Sequence, residues 1–113
     1  MEKYIKIERI SDISDDKWTL LSQEIKKGSL IIYPTDTVYG LGAVITNEQS
    51  INNVYLAKSR SFSSPLIALL SSVDKVEEVA YVSDKNKNLL KKLAKAFWPG
   101  ALTVILKRKE HIP

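Results

Sequence analysis

A layered α/β domain, a twisted mixed β-sheet flanked by helices, is what this sequence predicts. Three observations predict it. Apolar runs of strand length stand at 29–33, 66–70 and 101–106, each next to a Gly or Pro. Stretches with helical spacing lie between them, which argues for sheet and helices in layers. The composition, 44% hydrophobic and 27% charged, is that of an ordinary globular domain with a core.

Residues 4–9 alternate polar and apolar, with Ile5 and Ile7 on one side, so an edge strand is expected there. Ser14 can cap a helix whose first turn holds Asp15 and Asp16 and whose apolar positions are Trp18, Leu21 and Ile25. Trp18 is expected in the core. Gly28 ends this helix, and Ser29 to Tyr33 follow as a buried strand closed by Pro34. Thr46 and Gln49 have capping-box spacing, which starts a second helix with Ile51, Val54 and Tyr55 inward and an end near Lys58. A Ser-rich link over 61–64 and Pro65 introduce a strand at 66–70. Two helical segments come next: a short one over 73–79, and a longer one capped by Ser83. The longer one turns Leu89, Leu90, Leu93, Ala94 and Phe97 inward and Lys87, Lys91 and Lys95 outward. Pro99 stops it, and Gly100 permits the turn into a last strand at 101–106. The order is β, α, β, α, β, α, α, β, read as one domain over 1–113.

The 113 residues include no cysteine, which excludes a disulfide scaffold, thiolate metal ligation and cysteine catalysis. No apolar run reaches the roughly 18 residues of a membrane span, and no signal-peptide core follows the start, so a cytoplasmic location without membrane contact is expected. Seventeen Lys and Arg against thirteen Asp and Glu give +4. That surplus leans toward phosphate-bearing partners such as nucleotides or RNA. It is concentrated late in the chain, at Lys85, Lys87, Lys91, Lys92, Lys95, Lys107, Arg108 and Lys109.

Three clusters carry possible chemistry. Tyr33-Pro34-Thr35-Asp36-Thr37-Val38-Tyr39-Gly40-Leu41-Gly42 leaves the C-terminal end of a predicted strand, where ligand sites of layered α/β proteins lie. Its threonines offer short hydroxyls to a small polar ligand, and its glycines allow close backbone approach. The same residues suit a turn in which Asp36 and the threonines satisfy their own backbone. The spacing fits neither a P-loop nor a dinucleotide fingerprint. The second cluster is Lys58-Ser59-Arg60 with Pro65-Leu66. If the chain is extended there, the two cations point the same way and converge on one anion such as a triphosphate. The simpler reading is basic residues complementing a helix C-terminus. The third, Phe97-Trp98-Pro99-Gly100-Ala101-Leu102-Thr103, reads as a helix-to-strand corner. Neither a Ser/His/Asp arrangement nor a metal-ligand cluster is present, and His111 has no partner that suggests catalysis.

Taken together, these three words in this order and spacing resemble the YrdC-like family, the threonylcarbamoyl-AMP synthases that begin N6-threonylcarbamoyladenosine formation in tRNA. The resemblance runs from about Gly28 to Leu106. It implies a basic concave cavity that holds ATP, L-threonine and bicarbonate, with Mg2+ accompanying the ATP. It implies nucleotidyl-transfer chemistry: the threonine amine captures CO2 as a carbamate, whose oxygen attacks the α-phosphate and expels pyrophosphate. By the same resemblance Lys58 and Arg60 contact the phosphates and are the catalytic pair, Ser64 is a further ATP contact, and Thr35 or Thr37 contacts threonine. Partners implied are tRNA or double-stranded RNA and tRNA-modification proteins.

The departures from the pattern are specific. Family members run to roughly 180–200 residues, so the chain is expected to be a single YrdC-like domain lacking its C-terminal part, with an open sheet edge that invites association. The later Ser-x-Asn word has no counterpart. Ser61 stands where a proline commonly follows the Arg, and Leu69 stands where many members carry a threonine-binding His. Two other readings remain. One is a noncatalytic module that binds double-stranded RNA or tRNA through the basic cavity. The other is a carbamoyl-adenylate domain from a larger hydrogenase-maturation protein.

Overall fold

The computed structural model describes residues 9–113. The strand expected at 4–9 therefore lies, Arg9 apart, outside the described residues. The fold is of the expected class, helices flanking a small open β-sheet.

Helix α1 (Asp15–Lys26) begins as the sequence predicts: the Ser14 hydroxyl accepts from the Lys17 amide at 3.3 Å, with Asp15 and Asp16 in the first turn. It ends at Gly28, whose φ of 115° only glycine adopts without strain. Trp18 is not core: it is 43% exposed, and no residue of α1 is fully buried. Strand β1 (Ile31–Tyr33) is shorter than expected and half-exposed rather than buried on both faces, with Ile32 71% exposed. It pairs antiparallel with β2 (Gly40–Gly42), a strand the sequence pattern does not predict, in the register Ile31 to Gly42 and Tyr33 to Gly40. Tyr33 explains the pairing. Its ring covers both glycines so closely that a Cβ at Gly40 would lie 2.8 Å from it and one at Gly42 3.0 Å. The glycines thus serve an aromatic ring of the hairpin itself.

Helix α2 (Glu48–Ala57) is capped by Asn47, whose side chain accepts from the Ser50 amide at 3.0 Å, and not by the Thr46 to Gln49 box. Ser50, fully buried, donates through Oγ to the Gly28 carbonyl at 2.8 Å and so ties the start of α2 to the end of α1. Val54 and Tyr55 are the buried stripe, as expected.

No ladder forms at 66–70 or 101–106 among the described residues. Among the described residues, the strand pairing outside the hairpin is an isolated bridge from Ala80 to Arg108. Both runs have the composition of strands, but a strand needs a neighbour to exchange hydrogen bonds with. From Leu102 to Lys107 burial still alternates with the period of a strand. A single 3-10 turn (Val73–Lys75) leads into α3 (Val76–Val79), followed by α4 (Asp84–Phe97). Ser83 occupies the N-cap position of α4 through its backbone carbonyl, which accepts from Asn86 and Lys87, and its hydroxyl makes no cap bond. On α4 only Leu90 and Ala94 are buried, while Leu89 and Phe97 are each 55% exposed. The core lies between α3 and α4: Val76, Ala80 and Leu90, with Val73, Val82, Trp98, Val104 and Leu106 packed against them. Helix α4 stops at the expected corner, but the run after it joins no ladder among the described residues. Trp98 donates from Nε1 to the Leu102 carbonyl at 2.8 Å, and Gly100 lies so near the Phe97 carbonyl that a Cβ would sit 2.2 Å from it.

Candidate functional site

The Lys58-Ser59-Arg60 word is the C-terminus of α2, and its local geometry is set by backbone bonds. Lys58 is the C-cap, in helical conformation at φ −89°. Ser59 follows at φ 49°, left-handed although it is not glycine. Its amide donates to the Leu56 carbonyl at 3.1 Å, and that of Arg60 to the Tyr55 carbonyl at 2.9 Å. This pair of bonds is a Schellman ending. The chain is therefore not extended at this point, and the sequence argument that residues two apart must point the same way does not apply. What the turn does is present two exposed cations, one on either side of a left-handed residue. Neither has a carboxylate partner among the described residues.

The segment after the turn folds back over α2. The Arg60 Nη2 donates to the Pro65 carbonyl at 3.2 Å, and the buried Tyr55 hydroxyl donates to the Ser64 carbonyl. The Tyr55 ring also packs on Phe62, with centroids 5.2 Å apart. Ser61 and Ser63 share a hydroxyl bond at 2.7 Å. Arg60 and Ser64 are thereby held in one closed turn that follows directly on Lys58. Tyr55 is the anchor that sequence reasoning misses. Apolar spacing puts it in the buried stripe, where it is, but its phenol is a polar handle that a buried tyrosine must satisfy. Its partner is a backbone carbonyl, which any residue at position 64 would supply, so the sequence carries no signal for it.

Thr35 and Thr37 sit on the exposed connection between β1 and β2. The Thr35 hydroxyl donates to the Val38 carbonyl and accepts from the Thr37 amide at 3.3 Å, so it satisfies the loop's own backbone. The Thr37 hydroxyl has no hydrogen-bond partner among the described residues and remains the one available to a ligand. Strand β2 packs on α2, so the hairpin and the cationic turn belong to elements in contact. No hydrogen bond or ion pair among the described residues links the two stretches directly.

A second basic region lies on the far part of the chain. Lys107 Nζ and Lys109 Nζ lie 5.8 and 5.7 Å from the centroid of the Tyr81 ring, whose hydroxyl donates to Glu110. That bond raises the Tyr81 phenol above its ordinary value, with a smaller contribution from desolvation. The same bond holds the Glu110 carboxyl below its ordinary value. Lys87, expected on the solvated face, instead bridges Asp84 and Glu77 at 3.2 Å each, and these acids raise its pKa. Lys91, Lys92 and Lys95 are exposed, as expected. Among the described residues no group of three His, Cys, Asp or Glu side chains could hold a metal ion, and no helix is long and apolar enough to cross a membrane.

Comparison with known proteins decides the family. The profile of a family described as Telomere recombination, Sua5/YciO/YrdC, matches residues 23–113. The chain belongs to that family. It is 39% identical over 112 residues to a putative threonylcarbamoyl-AMP synthase of Methanocaldococcus jannaschii, covering 98% of this chain and 52% of the relative. It is 38% identical over 89 residues to the threonylcarbamoyl-AMP synthase of Pyrococcus abyssi, covering 79% of this chain and 25% of that one. The solved structure of P. abyssi Sua5 complexed with L-threonine superposes with a TM-score of 0.78 at 36% identity, over 94% of this chain and 29% of the other. The chain thus spans about half the length of one curated relative and about a quarter of another.

Proposed function

We propose that this chain carries the phosphate-binding part of an L-threonylcarbamoyladenylate synthase site. In this reading ATP, L-threonine and bicarbonate give threonylcarbamoyl-AMP and pyrophosphate, as the first step of N6-threonylcarbamoyladenosine formation in tRNA. The observation that carries the reading is the Schellman turn, which presents Lys58 and Arg60 within one turn of backbone, both exposed and with no acidic partner among the described residues. A phosphoryl centre gathering negative charge needs fixed cations and shelter from water more than it needs a protein nucleophile. Lys58 and Arg60 serve as phosphate contacts and Ser64 as a further contact to the nucleotide. Thr37 is the favoured threonine contact, because Thr35 spends its hydroxyl on the loop. Mg2+ enters as part of the substrate, held by the phosphates of MgATP. A cytoplasmic location goes with this reading.

Support comes from the family membership, and from the superposition on P. abyssi Sua5, a relative whose structure was solved in complex with L-threonine. The test is pyrophosphate release by the chain, alone and with the rest of the M. jannaschii relative supplied. Release that requires both threonine and bicarbonate, and is lost in Lys58→Ala or Arg60→Ala, is the expected result.

A second reading rests on Tyr81 between Lys107 and Lys109, together with the exposed lysines of α4: a noncatalytic module for double-stranded RNA or tRNA. It predicts salt-sensitive RNA affinity and no pyrophosphate release under any of these conditions.

A further inference from the structure

Residues 60–65 are exposed or half-buried, and a surface loop keeps one geometry only where something beneath it holds it. Tyr55 lies beneath this one. It is buried on α2, its ring centroid is 5.2 Å from that of Phe62, and its hydroxyl donates to the Ser64 carbonyl. The loop closes on itself through the Ser64 amide, which donates to the Ser61 carbonyl at 3.0 Å. Packing alone does not require the phenol oxygen, because phenylalanine offers the same ring to Phe62. The oxygen serves the Ser64 carbonyl.

From that carbonyl the restraint reaches Arg60 through one stiff residue. Arg60 Nη2 donates to the Pro65 carbonyl at 3.2 Å, the carbonyl next along the chain from the one that Tyr55 holds. Between the two stands Pro65, whose ring fixes φ, so placing one carbonyl leaves little freedom to the other. A guanidinium carries five N–H donors in a planar fork, and anchoring one of its nitrogens on Pro65 leaves the remaining donors aimed as a unit. We propose that Tyr55 is a positioning residue for phosphate binding: its hydroxyl, acting through the Ser64 and Pro65 carbonyls, orients the Arg60 guanidinium before the nucleotide arrives. The proposal rests on the reading of Lys58 and Arg60 as phosphate contacts. It adds to them a buried residue that works through Arg60. Orientation set in advance strengthens binding by removing the cost of ordering a long side chain.

The test is the affinity of the 113-residue chain for MgATP, read from amide shifts in a nuclear magnetic resonance titration. Tyr55→Phe keeps the ring and should weaken binding about five- to tenfold, with circular dichroism unchanged. A purely structural role is separated by two conservative backgrounds. Arg60→Lys keeps the charge but not the fork, so adding Tyr55→Phe to it should change affinity less than about twofold, whereas in Lys58→Arg the five- to tenfold loss should persist. A second measurement needs no variant: in the native chain without nucleotide, the Ser64 amide should exchange at least about tenfold more slowly than an unprotected amide. The proposal is overturned by Tyr55→Phe binding MgATP as the native chain does, by equal losses in the two backgrounds, or by an unprotected Ser64 amide; these outcomes leave the synthase reading standing. A native chain whose 58–64 amides ignore MgATP would overturn both.

Discussion

Lys58 and Arg60 matter because Ser59 separates them in a conformation that side chains rarely adopt. A left-handed non-glycine residue costs of the order of 1–2 kcal/mol, so the Schellman bonds must hold it. Ser59→Val, β-branched and poorly suited to this conformation, should lower stability by about 1–2 kcal/mol in urea unfolding, whereas Ser59→Gly should be neutral or stabilising. Equal effects would mean that Ser59 is not left-handed. If these cations hold the phosphates as proposed, removing one deletes a charge-assisted bond worth about 1.5–3 kcal/mol, so Lys58→Ala or Arg60→Ala in the catalytically complete protein should reduce threonine-dependent ATP–pyrophosphate exchange ten- to hundredfold or more. Lys91→Ala, on the exposed face of α4, should leave exchange unchanged. The identities of these residues are legible in the sequence, but their geometry is not. Whether residues 58–60 are extended or turned depends on which carbonyls at the end of α2 find donors, and spacing does not encode that.

At the level of elements, α1, α2 and α4 are readable because polar and apolar residues recur at helical spacing in each, and in α1 Ser14 caps where the sequence places it. The cap of α2 is the instructive miss. Thr46 and Gln49 have the spacing of a box, yet Asn47, one residue later, holds the Ser50 amide. Asn47→Ala should therefore cost about 1 kcal/mol, within the usual range for a lost N-cap. Thr46→Ala should cost little in the same thermal or urea melt. The hairpin escapes the sequence pattern for a different reason: a three-residue strand containing two glycines has no strand signature until its partner Tyr33 is laid over it. The C-terminal segment is pinned to the turn after α3 by the Tyr81 to Glu110 bond and by Lys109, whose amide donates to the Val79 carbonyl at 2.8 Å. Glu110 is lowered, so the stabilisation from its charge is present above the ordinary carboxylate range and fades as pH falls through the lowered value. Tyr81 is raised, so its share is present below the ordinary phenol value and fades as pH rises through the raised one. In an NMR titration, Tyr81→Phe should move the Glu110 midpoint upward, toward the ordinary range; an unmoved midpoint would mean that the bond does not form in solution.

For the molecule as a whole, a radius of gyration of 15.7 Å exceeds the roughly 13 Å expected of a compact domain of this length. The excess matches what the elements show: strand-like runs at 66–70 and 101–106 without ladders among the described residues, and apolar side chains such as Ile105 left in solvent. The sequence pattern identifies these runs as strands because it reports intrinsic preference and burial period. It does not report that no neighbour forms a ladder with them, since pairing is a property of the assembled sheet. The cationic turn and the hydroxyl-bearing hairpin sit on contacting elements, and on that placement the account of function depends.

The most direct measurement is a nuclear magnetic resonance titration of the isotope-labelled chain with MgATP and then L-threonine. The account predicts that MgATP shifts the amides of 58–64 first and that threonine adds shifts at 35–42. Shifts confined to Tyr81, the lysines of α4 and residues 107–109, with 58–64 silent, would contradict it.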